Sequence, residues 1–168
     1  PPRVYPLWYL DHGARHLIRS EHDNTRTVRW VLRERGITLT GPSPRDGLIA
    51  AVTGDDLRSE GLETMALIAC EWSTPAKLDV TWLPAFFVTL HCRLLHTQAT
   101  GEVTSKREAT AWAVRTLDPH WHGLVARADH LWRHKRDELA TPADASFIAE
   151  TLEFMRYART WKAQEEAE

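Results

Sequence analysis

Val88-Thr-Leu-His-Cys-Arg-Leu-Leu-His-Thr-Gln-Ala-Thr-Gly-Glu-Val-Thr-Ser-Lys-Arg-Glu-Ala-Thr-Ala-Trp112 is the stretch that decides the fold. It reads as an apolar helix carrying Arg93, a stop at Thr100-Gly101, a short loop, and a second helix opened by Lys106. Ser105, with Glu108 three residues on, is a capping box that fixes where the second helix starts. Two cations, Arg93 and Lys106, therefore come to the same interhelical corner. A lysine at a helix start is opposed by the macrodipole, and together they make an anion site. A polyphosphate is the natural occupant, since a guanidinium fork and an ammonium point charge complement its oxygens.

Working outward, residues 84–99 are apolar on all sides, with Pro84 in the first turn, which predicts the centre of a bundle. Before them, Asp55–Ser73 has helical spacing, with Leu57, Leu62, Met65, Leu67, Ile68 and Cys70 as apolar members, Gly61 as a weak point and Pro75 beyond its end. After the capping box the helix should reach about Leu117, where Asp118-Pro119 stops it and starts another over 119–138. Thr141-Pro142-Ala-Asp144 signals a last helix from 142 to about 164.

The first 50 residues differ. Residues 3–10 are aromatic and β-prone, with Pro6 interrupting or edging a strand. Residues 22–35 read as a helix capped by Asp23 or Asn24 and ended by Gly36. Ile37–Thr40 reads as a short strand before the Gly41-Pro42 turn. Two short strands make no stable sheet alone, so partner strands are expected upstream of Pro1. The expected fold is mainly α: a small αβ remnant over 1–50, then a bundle of about five helices over 51–168.

Composition is that of a globular chain, 43% hydrophobic and 26% charged, with net charge −2. Neither nucleic acid nor a membrane is an expected partner, and no apolar run approaches the roughly 18 residues of a membrane span. Two helical cysteines, Cys70 and Cys92, imply no disulfide framework; they read as core thiols in a reduced, cytoplasmic setting. Eight tryptophans suit interhelical packing, or a stacking surface for a sugar or base.

Several segments resemble the streptomycin/spectinomycin adenylyltransferases, the aminoglycoside 3″-type nucleotidyltransferases. Val88–Trp112 is similar to the heart of their helical C-terminal domain, with its Arg, Thr-Gly, Ser-Lys and Trp in register. Val31-Leu-Arg-Glu-Arg-Gly-Ile-Thr-Leu-Thr-Gly-Pro42 resembles the end of their nucleotidyltransferase domain, and Ala126-Arg-Ala and Phe154-Met-Arg-Tyr157 resemble the last two helices. The resemblance implies ATP and Mg²⁺ as cofactors and adenylyl transfer to a drug hydroxyl, with Arg93 and Lys106 on the ATP phosphates. It places His130 where the family has a Tyr on the base or ribose side. It puts His12 at the drug-stacking Trp, and the acidic drug contacts near Trp82-Leu83, with Asp79 the nearest acid. The family's Gly-Ser turn and Asp-x-Asp pair, which hold the metal, have no counterpart in this chain. Asp55-Asp56 cannot replace them, because adjacent acids on a helix point about 100° apart. No catalytic residue is therefore expected here. The chain reads as the phosphate- and substrate-contacting region of the enzyme, or as a non-catalytic module that binds a nucleotide or small ligand, or dimerises. The N-terminal strand offers an edge for self-association.

Three lesser signals stand beside these. His130-x-x-x-His134 has metal-pair spacing but lacks a third ligand. His120-Trp-His122 follows a proline at a helix start. Arg115-x₄-His120 resembles the signature of helical ribonucleases, though Asp118-Pro119 should separate the two side chains.

Overall fold

The computed structural model describes residues 7–10, 13–20, 23–134 and 137–162. The chain is mainly α and divides into two units, Pro1–Asp56 and Leu57–Glu168.

In the first unit, β1 (Leu7–Tyr9) and β2 (Ile18–Ser20) pair antiparallel, with Trp8 opposite Arg19, whose guanidinium lies 5.3 Å from the Trp8 ring centroid. Helix α1 (Arg26–Arg35) is capped by Thr25, whose hydroxyl accepts from the Val28 amide at 3.1 Å; the sequence reading placed the cap one or two residues early. Gly36 ends the helix as expected, its N–H reaching the Leu32 carbonyl. Arg33 and Arg45 tie α1 to the turn at Pro44–Leu48, through Ile49 O at 2.6 Å and Glu34 Oε2 at 2.6 Å. The strand expected at Ile37–Thr40 does not form. Ile37 and Leu39 are 86% and 93% exposed, and no described strand lies beside them to complete a ladder. None of this unit's described residues is buried.

The second unit holds the core. It is built on α2 (Gly54–Trp72), α3 (Trp82–Thr100), α4 (Lys106–Thr116), α5 (His122–His134) and α6 (Ala145–Thr160). Helix α3 is the axis, and α4, α5 and α6 pack around it. Its buried residues, Ala85, Val88, Thr89, His91, Cys92 and Leu95 among them, cover most of its surface and leave one half-exposed stripe through Trp82, Phe86, Leu90 and Arg93. Alanines at 109, 113 and 128 let α4 and α5 approach closely, and Phe147 and Phe154 of α6 fill the remaining volume. Trp121, in a tight turn before α5, packs its ring 5.2 Å from both Phe154 and Tyr157. Each fully buried aromatic or Leu contributes about 1.5–3 kcal/mol of transfer free energy.

The stop and start signals between the bundle helices acted largely as read. Gly101 adopts φ 72° at the end of α3, and Ser105 and Glu108 form the reciprocal capping box of α4. Gly61 has a structural reason: a β-carbon there would lie 2.7 Å from Gln98 Nε2, where α2 crosses α3. At that crossing Arg58 Nε donates to Gln98 O and Gln98 Nε2 donates back to Arg58 O.

Other details needed correction. The last helix starts at Ala145, with Asp144 as its cap, and not at Pro142. The backbone before it is already engaged: Thr81 N donates to Thr141 O at 2.9 Å, and Val80 bridges to Pro142. Helix α5 runs His122–His134, shorter than the expected 119–138, because Pro119–Trp121 forms a separate tight turn. Leu62 and Leu67 are more than half exposed, so α2 buries only Leu57, Gly61, Met65 and Ile68. Cys70 is exposed and is not a core thiol; Cys92 is buried, and its burial raises the thiol pKa well above the usual range.

His91 is a core histidine. Its Nδ1 lies 2.7 Å from the Phe87 carbonyl, so that nitrogen carries the proton, and Nε2 has no hydrogen-bond partner among the described residues. Burial pulls its pKa down to about 4. The unfolded imidazole, near 6.5, takes up a proton before the folded one. Stability is therefore full above about 6.5 and falls as pH drops toward 4. Wild type should lose about 2 kcal/mol more than His91→Leu between pH 7 and pH 5, measured by urea unfolding of both proteins; parallel losses would mean that His91 is charged in the fold.

Candidate functional site

Arg93 and Lys106 reach one corner by different routes. Arg93 lies nearly two turns before the end of α3, on its half-exposed stripe, where a charged head need not be fully buried. It is half-buried and its Nε donates to the Thr104 carbonyl at 3.0 Å. That bond holds the guanidinium against the loop leading to α4. Lys106 is the first residue of α4, placed there by the Ser105 cap. Its ammonium lies 3.4 Å from the Trp132 ring centroid and 4.9 Å from that of Phe86. Both cations are close enough to repel: burial first, and then the Arg93 charge, push the Lys106 pKa down to about 8, while burial also lowers that of Arg93. Among the described residues no carboxylate pairs with either.

An aromatic wall backs the pair. Trp82 and Phe86, one turn apart on α3, meet edge-on at 5.5 Å, and Phe86 lies 6.4 Å from Trp132. Trp82 is 42% exposed and forms the open edge of the wall. The start of α3 that carries it is tied to the loop before α6 by the Thr81–Thr141 bonds and by Ala143 N to Asp79 O at 2.7 Å. Asp79 is exposed at the same corner of the chain path, three residues before Trp82.

The remaining sequence candidates fall elsewhere. His130 lies two residues from Trp132, about 200° round α5. It lines a groove of about 630 Å³ between α4 and α5, with Arg107, Thr110, Arg115, Asp129 and Arg133. Asp129 is committed there, accepting from Thr110 Oγ1 at 3.0 Å and pairing with Arg133. His12 lies outside the described residues, as does the side chain of His134. His120 packs against Trp121 at 4.6 Å, and His122 Nε2 lies 3.3 Å from Leu117 O. Arg115 faces the α4–α5 groove, so the ribonuclease-like spacing does not bring it to His120.

The donor set for a divalent metal does not fit. Asp56 accepts from Thr53 N at 2.9 Å and Thr53 Oγ1 at 2.8 Å, which lowers its pKa and ties it to the start of α2. Among the described residues no group of three or more His, Cys, Asp or Glu converges. Among the described residues no helix is long and apolar enough to cross a membrane.

Sequence reasoning missed Phe86 and Trp132. Phe86 had a signal, since positions 82, 86 and 93 recur at helical spacing along one stripe of α3. Trp132 had none without knowing which face of α5 meets α4. Desolvation by the two rings lowers the lysine pKa, whereas their π-faces favour its cation. If desolvation dominates, Trp132→Ala should raise the Lys106 pKa from about 8 toward the ordinary 10.5, read by NMR titration of labelled lysine. A fall would show that the indole face stabilises the ammonium more than it dehydrates it.

Comparison with known proteins adds the family. No curated protein matches the chain. A family model described as the aminoglycoside adenylyltransferase C-terminal domain matches residues 69–159, more than half of the chain and nearly all of α3 to α6. The corner and its aromatic wall lie within that span, and the chain belongs to the aminoglycoside adenylyltransferase family through its C-terminal domain.

Proposed function

We propose that this chain supplies the phosphate-gripping side of an ATP-dependent adenylyl transfer to a hydroxyl of a cationic amino-sugar drug. One observation carries the reading: Arg93 and Lys106 stand together, half-buried, with no carboxylate partner among the described residues. Two like charges so placed repel each other and lose hydration, and an anion relieves both costs. A triphosphate offers oxygens for the guanidinium fork and for the ammonium. Bound Mg²⁺ would neutralise phosphate charge in such a transfer. Its acidic ligands would come from outside these residues, as would the base. The chain's own part is to bind and orient the nucleotide.

In this reading Trp132 takes the role that the resemblance gave to His130, since the indole lies against Lys106 while the imidazole lines the α4–α5 groove. Trp82 forms the outer edge of the wall, where a sugar ring can pack, with Asp79 the nearest acid for a cationic acceptor. A second reading, a nucleotide-binding module without transfer, rests on the same two cations, which can hold an anion whether or not chemistry follows.

Isothermal titration of the chain with Mg-ATP should give weak binding. Arg93→Ala should weaken it by about 2 kcal/mol, roughly thirtyfold, while His130→Ala leaves it unchanged. An Arg93→Ala protein that stays folded and binds as well as wild type makes the arginine structural and removes the nucleotide reading. Addition of the metal-binding lobe of a family enzyme separates the two readings: adenylyl transfer supports the first, and binding without transfer the second.

A further inference from the structure

We propose that Lys106 is a covalent acylation site for acyl phosphates, with the Arg93 guanidinium holding the phosphate leaving group. The inference rests on the phosphate reading of the Arg93–Lys106 corner and adds a way of switching it off.

The geometry supplies what such a reaction needs. The amine must be free of a carboxylate partner, and no described carboxylate pairs with Lys106. It must lose its proton readily, and apolar rings on two sides with a guanidinium nearby favour the neutral form, against the pull of the ring faces on the cation. The reagent must also be captured. An acyl phosphate carries its negative charge on the group that departs, so a fixed guanidinium beside the amine brings the carbonyl carbon toward the nucleophile. The loop bond from Arg93 Nε to Thr104 O fixes that guanidinium two residues from Lys106. Lys77 provides the contrast: its ammonium donates to the Glu71 carbonyl and has no arginine partner in that contact.

The step balances without redox change. The Nζ lone pair attacks the acyl carbon and forms an N–C bond. The C–O bond to phosphate breaks, and its electron pair leaves with inorganic phosphate. The proton lost from nitrogen passes to water. The product is a neutral amide seated against Phe86 and Trp132, so the corner falls from two positive charges to one. Anion binding should weaken with it.

The test uses the full chain, acetyl phosphate and peptide mass spectrometry. Lys106 should acetylate about tenfold faster than Lys77 or Lys162, as a lysine of lowered pKa beside an anion dock should. Inorganic pyrophosphate should slow Lys106 alone. Arg93→Ala should bring Lys106 to the Lys77 rate with acetyl phosphate, yet matter little with N-hydroxysuccinimidyl acetate, which has no phosphate to dock. Equal rates at the three lysines overturn the proposal. So does a Lys106 preference that survives both pyrophosphate and Arg93→Ala, because the dock would then play no part. Should Arg93→Ala not fold, the pyrophosphate arm on wild type decides. The nucleotide reading fails separately: selective acetylation without Mg-ATP binding keeps this proposal and removes that one, and Mg-ATP binding with uniform acetylation does the reverse.

Discussion

A helix buried over most of its surface must be surrounded, and that constraint on α3 organises the rest of the second unit. Its apolar faces require α4, α5 and α6 as neighbours, while its single guanidinium cannot enter the core with them. Arg93 therefore ends at the boundary, anchored to the Thr104 carbonyl, and whatever begins α4 is brought beside it. Since α4 begins with a lysine, the packing of α3 creates a like-charge pair with no carboxylate paired to either cation among the described residues. A fold optimised only for stability would place an acid there; a site for an anion would not.

Much of the bundle was legible because its signals are local. The Ser105–Glu108 box, Gly101 and the Asp118-Pro119 break each act within one turn, and each produced the stop or start it encodes. Signals that depend on distant partners misled. Thr141-Pro142 resembles a helix start, yet Thr81 and Val80, some 60 residues away, claim its backbone and pass the capping role to Asp144. Ile37–Thr40 alternates like a strand but finds no neighbour among the described residues. On α2, Leu62, Leu67 and Cys70 share the helical period of the buried residues but fall on the outer face, which only the packing against α3 could reveal.

The site divides the same way. Its two cations, thirteen residues apart, could be read from a helix stop and a cap. The rings around them could not, because Phe86 and Trp132 meet Lys106 only once the rotation of α3 and α5 is set. His130 illustrates the sensitivity: a shift of two positions along α5 exchanges the wall of the corner for the opposite groove. Resemblance named Arg93 and Lys106, two cations that the fold brings near each other, and said less about the aromatic residues, which depend on how each helix is turned.

The contrast between the two thiols has a practical side. Cys70 is open to solvent on α2 while Cys92 is sealed within α3. A maleimide dye offered to the native protein would thus attach at one place without prior mutagenesis.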